Sequence, residues 1–87
     1  MFSHDAVLEF EYDDRRRARI VAESVAREVG EIDDERSRTT IDRDCRTVRI
    51  EVDARDLVAL RAALNTWFGL TDVAERAAAV GDGDERA

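Results

Sequence analysis

Few residues in this 87-residue chain could do chemistry, and their types and spacing limit what that chemistry is. His4 is the sole histidine, and no cysteine or second histidine stands near it to complete a metal site. Cys45, the sole cysteine, lacks an adjacent histidine to take its proton, so it reads as a structural thiol and not a nucleophile. The glycines at 30, 69, 81 and 83 are scattered and build no phosphate-cradling loop. The acidic pairs Asp13-Asp14 and Asp33-Asp34 suit helix caps and solvated loops. Acid–base work would need a pocket that so small a core is not expected to build. The expectation is no enzyme, no cofactor and no metal.

Two polar groups remain. Arg15, Arg16, Arg17 and Arg19 concentrate positive charge at the start of a helix, with Asp13, Asp14 and Glu23 close by. On a helix they spread around much of the circumference. They are either a solvated helix start or an RNA-phosphate contact made beside a more basic partner. No aromatic residue is interleaved, so base stacking is not supported. Arg61 and Asn65 are four apart and therefore neighbours on a helix. They border an apolar stripe, where a polar group costs free energy unless it is hydrogen-bonded. Either Arg61 pairs with Glu51 or Asp53 while Asn65 ties down backbone, or both serve an interface.

The segment that must position them is Leu57–Leu70, LVALRAALNTWFGL. It carries one charge, Arg61, in a chain that is 40% charged. At 100° per residue, Leu57, Leu60, Leu64, Trp67 and Phe68 form one apolar stripe, expected to pack on the chain's own sheet. Val58, Ala59, Ala62, Ala63, Thr66 and Leu70 occupy the other side. A helix apolar nearly all round must be covered on both sides. Val58, Ala59, Ala62, Ala63 and Thr66, with Arg61 and Asn65, are therefore the residues expected to meet another chain.

The remaining elements follow from periodicity. Ala6, Leu8, Phe10 and Tyr12 alternate with Val7, Glu9 and Glu11, which predicts a half-buried strand over Ala6–Tyr12. Asp13-Asp14 caps a helix running to Val29, with Ala18, Val21, Ala22, Val25 and Val29 on one face and Gly30 ending it. Arg36–Asp42 reads as a second strand, Asp42–Cys45 as a turn and Arg46–Val52 as a third strand in a hairpin. Asp53 caps the last helix, Gly69 marks a kink, and Thr71 and Asp72 restart the helix to about Ala79. The order is β-α-β-β-α, an α+β fold: a three-stranded antiparallel sheet with two helices on one face. Residues 1–80 form one domain, and 81–87 an acidic tail expected to be disordered.

Composition narrows the setting. No 18-residue apolar run is present, so no membrane span is expected. Met1–Asp5 lacks a basic region followed by an apolar core, so no signal peptide is expected. One cysteine fits a reducing cytosol, and the expected location is cytoplasmic. The chain carries 21 acidic and 14 basic residues, a formal charge of -7, and every basic residue is arginine. Such composition resembles that of proteins from salt-accumulating, halophilic cytoplasms, and GC-driven codon bias also favours arginine over lysine. The negative balance argues against independent high-affinity nucleic-acid binding, which needs a positive field.

Ile50–Thr66, IEVDARDLVALRAALNT, resembles the strand-to-helix signature of the Pcc family, the small dimerisation subunits of the KEOPS complex, related to CTAG proteins. That pattern is an apolar strand, Ala-x-Asp, then Leu-Arg-Ala-x-x-Asn followed by Ser or Thr. Ala54, Asp56, Leu60, Arg61, Ala62, Asn65 and Thr66 stand at those positions. Arg36-Ser37 resembles the family's Arg-Ser at the second strand, and Glu31 its acidic position after the first helix. The proline usual near the end of the first helix is replaced by Gly30, and the hairpin turn lacks its usual glycine. The resemblance extends to about Val80. It implies a non-catalytic homodimer that binds a Kae/TsaD-type transferase through its helices. KEOPS makes N6-threonylcarbamoyladenosine at position 37 of ANN-decoding tRNAs, so tRNA would be met only within the complex. A free-standing RNA-binding module using Arg15–Arg19 is the alternative. A ligand-binding regulatory domain has only Arg61 and Asn65 to support it.

Overall fold

The computed structural model describes residues 2–86; for Ile32 and residues 81–86 only the backbone element is described. The elements are β1 (His4–Glu11), α1 (Arg15–Ala26), α2 (Val29–Ile32), β2 (Ser37–Asp44), β3 (Thr47–Ala54) and α3 (Leu57–Arg86). The expectation for the tail at 81–87 lies outside the residues whose side chains are described. The strands form one antiparallel sheet in the order β1-β3-β2, with α1 and α3 packed against it and against each other. This is the β-α-β-β-α fold that the periodicity predicts, with a one-turn α2 added.

Period-two alternation decides which face is covered. The register sets Ala6, Leu8 and Phe10 of β1 against Val52, Ile50 and Val48 of β3, and Thr39 and Ile41 of β2 against Val52 and Ile50. These residues face the helices, and Val48, Ile50, Val52 and Ala54 are fully buried there. Ala18, Val21, Ala22 and Val25 of α1 and Trp67 of α3 close the same core. The opposite sheet face is open and charged. On it Arg49 stands between Glu9 and Asp42 and pairs with Glu51 at 3.0 Å. Asp5, Glu11, Asp44 and Asp53 share this face, so much of the acidic excess sits away from the helices.

Local chemistry explains where the elements end, and it corrects four expectations. Asp14 caps α1, its carboxylate accepting from Arg17 N at 2.7 Å. α1 stops at Ala26 and not Val29, because Glu28 N turns back to Val25 O at 3.0 Å in a tighter turn. Gly30 then lies inside α2, and no glycine described has a positive φ. Asp53 belongs to β3, which runs on to Ala54 because Ala54 pairs with both His4 and Ser37. The cap of α3 is Asp56, whose carboxylate accepts from Ala59 N at 2.8 Å. The hairpin turn is shorter than expected: Asp44 pairs with Thr47, leaving Cys45 and Arg46 as the loop. Cys45 has φ 54°, a left-handed conformation where a glycine would carry no Cβ penalty. The Arg43 guanidinium donates to the Cys45 carbonyl at 3.1 Å and braces the turn.

α3 shows no break at Gly69. Trp67, Thr71, Ala74 and Ala78 are buried in succession on one face, so packing on both sides carries the helix through the glycine. A Cβ at Gly69 would meet nothing within 4 Å. Gly69→Ala is therefore expected to stabilise the isolated chain by about 0.5–1 kcal/mol. Urea denaturation checks this, and a loss of stability would place an unseen contact at that position.

Tyr12, just past β1, donates its phenol proton to Glu75 Oε2 of α3 at 2.7 Å. Burial, the hydrogen bond to Glu75 and the Glu75 charge all push the phenol above its ordinary pKa. A group raised on folding contributes stability that is complete below the unfolded value, about 10 for tyrosine, and lost as pH rises past it. Stability should fall from pH ~10 upward in the native chain, and Tyr12→Phe should flatten that fall. At neutral pH the variant should lose about 1 kcal/mol. Parallel losses in both proteins above pH ~10 would exclude the phenol as the cause.

Candidate partner-binding face on the long helix

The setting of α3 about its axis decides which residues a partner could touch. Its inward face is Leu60, Ala63, Trp67, Thr71, Ala74 and Ala78, all buried, with Leu64 and Leu70 half-buried beside them. Trp67 fixes that setting: it is fully buried, and its indole Nε1 donates to Thr39 Oγ1 of β2 at 3.1 Å. The two stripes expected from the sequence are each displaced by this rotation. Ala59 and Ala63, expected to meet another chain, are only 6% and 4% exposed. Leu57 and Phe68, expected on the sheet, are each 50% exposed. Phe68 reaches only the rim of β1, where its ring meets Phe10 edge-on at 6.3 Å and 84°.

Val58, Ala62, Arg61, Asn65 and Thr66 do lie outside, and Val58 is 73% exposed. Directly opposite the buried face, at helical spacing, they continue into Gly69, Val73 and Val80. The ridge thus runs from Val58 to Val80, roughly 33 Å at 1.5 Å per residue. A window closed at Leu70 misses its second half. The signal was present in the sequence, since 58, 62, 69, 73 and 80 fall on one line at 100° per residue. A Val73 or Val80 alone means little, but a line of exposed valines and small residues is what a second helix packs against.

Arg61 and Asn65 are unspent. Among the described residues neither makes a hydrogen bond or ion pair. The pairing of Arg61 with Glu51 or Asp53 is excluded by the strand alternation, which turns both carboxylates to the open sheet face, away from α3. Glu51 instead pairs with Arg49 and accepts from Thr40 Oγ1 at 3.4 Å. Thr66 is satisfied within its own helix, its hydroxyl donating to Ala62 O at 3.0 Å. The arginines of α1 do not converge. Arg15 and Arg19 are exposed and Arg16 half-buried, while half-buried Arg17 lies 4.0 Å from Asp13 beside Tyr12 and Glu75. Among the described residues no group of three His, Cys, Asp or Glu side chains could hold a metal ion. None of the helices described is long and apolar enough to cross a membrane.

A family model described as transcription factor Pcc1 matches residues 5–79. The chain belongs to the Pcc1 family. This Pcc1 domain also resembles a chain in the crystal structure of the binary complex Gon7-Pcc1, with a TM-score of 0.72 and 14% sequence identity. The match covers 92% of this chain and 98% of that one, and at such identity it carries the fold alone. No curated protein matches the chain. The family match spans most of β1 through residue 79 of α3, so the Arg61–Asn65 pair and the ridge as far as Val73 lie inside the matched residues.

The rotation of α3 separates two neighbouring alanines by a clear expectation. Ala62→Arg should fold with a melting temperature within a few degrees of the native chain, since position 62 is exposed. Ala63→Glu should cost about 3 kcal/mol or more by burying an unpaired charge. Thermal melts followed by circular dichroism decide it, and equal behaviour of the two variants would refute the helix setting.

Proposed function

We propose that this Pcc1-family chain is a non-catalytic scaffold subunit of a KEOPS-type tRNA-modifying assembly. Its α3 ridge docks on helices of a Kae/TsaD-type transferase, and two copies pair so that two transferases are bridged. The observation that carries the docking is the ridge itself. Val58, Ala62, Gly69 and Val73 are exposed on a helix whose first fourteen residues hold one charge, in a chain that is 40% charged. Small residues let a second helix approach closely, and exposed Val58 and Val73 give apolar area to bury. Arg61 and Asn65, exposed and without a hydrogen bond to the described residues, supply polar contacts at the margin of the contact. A net charge of -7 disfavours a protein that seeks RNA alone, so tRNA is met through the assembly.

The test is co-purification of the tagged chain with the transferase subunit from the same cell, in molar KCl. Ala62→Arg should cut recovery at least about tenfold, as expected for a charge forced into a packed helix contact. Replacing Arg15 and Arg19 by alanine should leave recovery unchanged. Equal recovery with Ala62→Arg would remove the ridge from the interface. Tight tRNA binding by the isolated chain, lost with Arg15 and Arg19, would favour a free-standing RNA-binding module instead.

A further inference from the structure

Beside the ridge, where α3 faces the start of β2, there is a recess of about 110 Å³. Its floor is Ala59, Ala62, Ala63 and Thr66, and its wall is Asp34, Arg36 and Ser37. The four floor residues are spaced i, i+3, i+4 and i+7, the four-cornered hole that receives one knob from a neighbouring helix. The volume is well below the roughly 300 Å³ at which small-molecule pockets begin, but it suits a single side chain.

The wall makes the recess more than a row of alanines. Strand alternation turns Ser37 toward the helices, paired across from Ala54, and leaves it 6% exposed. Its backbone N–H is engaged by Asp34 Oδ1 at 3.1 Å, yet among the described residues its hydroxyl makes no hydrogen bond. That oxygen is not among the sealed unpaired side-chain atoms, so it opens into the recess, where an acceptor can reach it. Arg36 stands at the rim, its N–H on Asp34 Oδ1 at 2.7 Å, and its guanidinium meets no carboxylate among the described residues. Asp34, in the same wall, turns one oxygen to these two backbone donors, so the donors the recess offers are a hydroxyl and a guanidinium beside one carboxylate. Both can donate toward one acceptor.

We propose that this recess is the anchor point for a helix of the partner chain, which inserts one long side chain ending in an acceptor oxygen. The methylene stem lies on the Ala62 methyl group, along the nearly covered edges of Ala59 and Ala63. The terminal oxygen accepts from the Ser37 hydroxyl and the Arg36 guanidinium. A carboxylate and a primary amide both have this chemistry, and the two differ in how strongly Arg36 and salt matter. The inference rests on the helix-docking function proposed above and names the site within it that selects the partner residue.

The test measures the dissociation constant of the full chain for the purified transferase subunit by isothermal titration, in molar KCl and at reduced salt. Ser37→Ala should weaken binding about three- to tenfold, the worth of one hydrogen bond. Ser37→Val, which also fills the recess, should weaken it more. Thermal melts of the free variants separate these losses from unfolding. Arg36→Gln should couple to Ser37→Ala, so that the double variant loses less than the two together. An Arg36→Gln loss that grows at reduced salt identifies a carboxylate, and a loss indifferent to salt identifies an amide. If Ala62→Arg abolishes binding while Ser37→Ala, Ser37→Val and Arg36→Gln stay within about twofold of the native chain, the recess is an unoccupied or water-filled notch and this inference falls alone. If the native chain does not bind the transferase, both readings fall.

Discussion

The hydrogen bond from Trp67 to Thr39 sets the angle at which α3 lies on the sheet, and the usable surface follows from that angle. An indole buried to this degree must satisfy its N–H, because an unpaired donor costs about 1–3 kcal/mol. Thr39 is the acceptor because β2 alternation turns its hydroxyl toward the helices. With Trp67 pinned, Ala59 and Ala63 turn inward and Val58 and Ala62 outward, and Leu57 and Phe68 are left at the rim. One polar contact in an apolar core thus chooses which alanines are structural and which are available. Thr71, also fully buried, makes no hydrogen bond through its hydroxyl among the described residues, so it gives the helix no such directional hold.

Charge is partitioned by the same architecture. The sheet has one face under the helices and one in solvent, and the solvent face collects Asp5, Glu9, Glu11, Asp42, Asp44, Glu51 and Asp53 with only Arg38 and Arg49 among them. Repulsion along that face is screened by salt, with a Debye length near 3 Å at 1 M. On the far side, the Leu57–Leu70 stretch of α3 is almost free of charge. A molecule with its acidic excess on one side and a sparsely charged helix face on the other can remain soluble at high salt, where apolar contacts strengthen and ion pairs weaken.

Much of this was legible in the sequence, and what was not has a physical reason. Strand faces were readable because a period of two leaves no intermediate choice: Val48, Ile50 and Val52 had to share a side. The helix face was not fixed so sharply, because α3 is apolar nearly all round and several rotations bury comparable area. A tertiary contact that spans residues 39 and 67 made the choice, and no local pattern contains it. The end of α1 escaped for a similar reason, since Gly30 offers a left-handed stop that the Glu28–Val25 turn makes unnecessary. The ridge beyond Leu70 was legible but lay outside the apolar window. Ser37 resembled part of a family signature, while its unspent hydroxyl emerges only when β2 is set beside α3.

Between the last strand and α3 there are only two residues, Arg55 and Asp56. Arg55 N is tied to Arg36 O at 2.9 Å, and Asp56 holds the first turn through Ala59 N. This junction works like the index pin of a dial. Each residue added or removed there would turn every side chain of α3 by about 100° relative to the sheet. Trp67 would leave Thr39, and the ridge would swing round to the flank of the helix. The hairpin loop at Cys45 and Arg46, at the far end of the same strand, controls no such phase. An added residue is therefore expected to be tolerated at the hairpin and not at the junction, a constraint on insertions and deletions that no single side chain reveals.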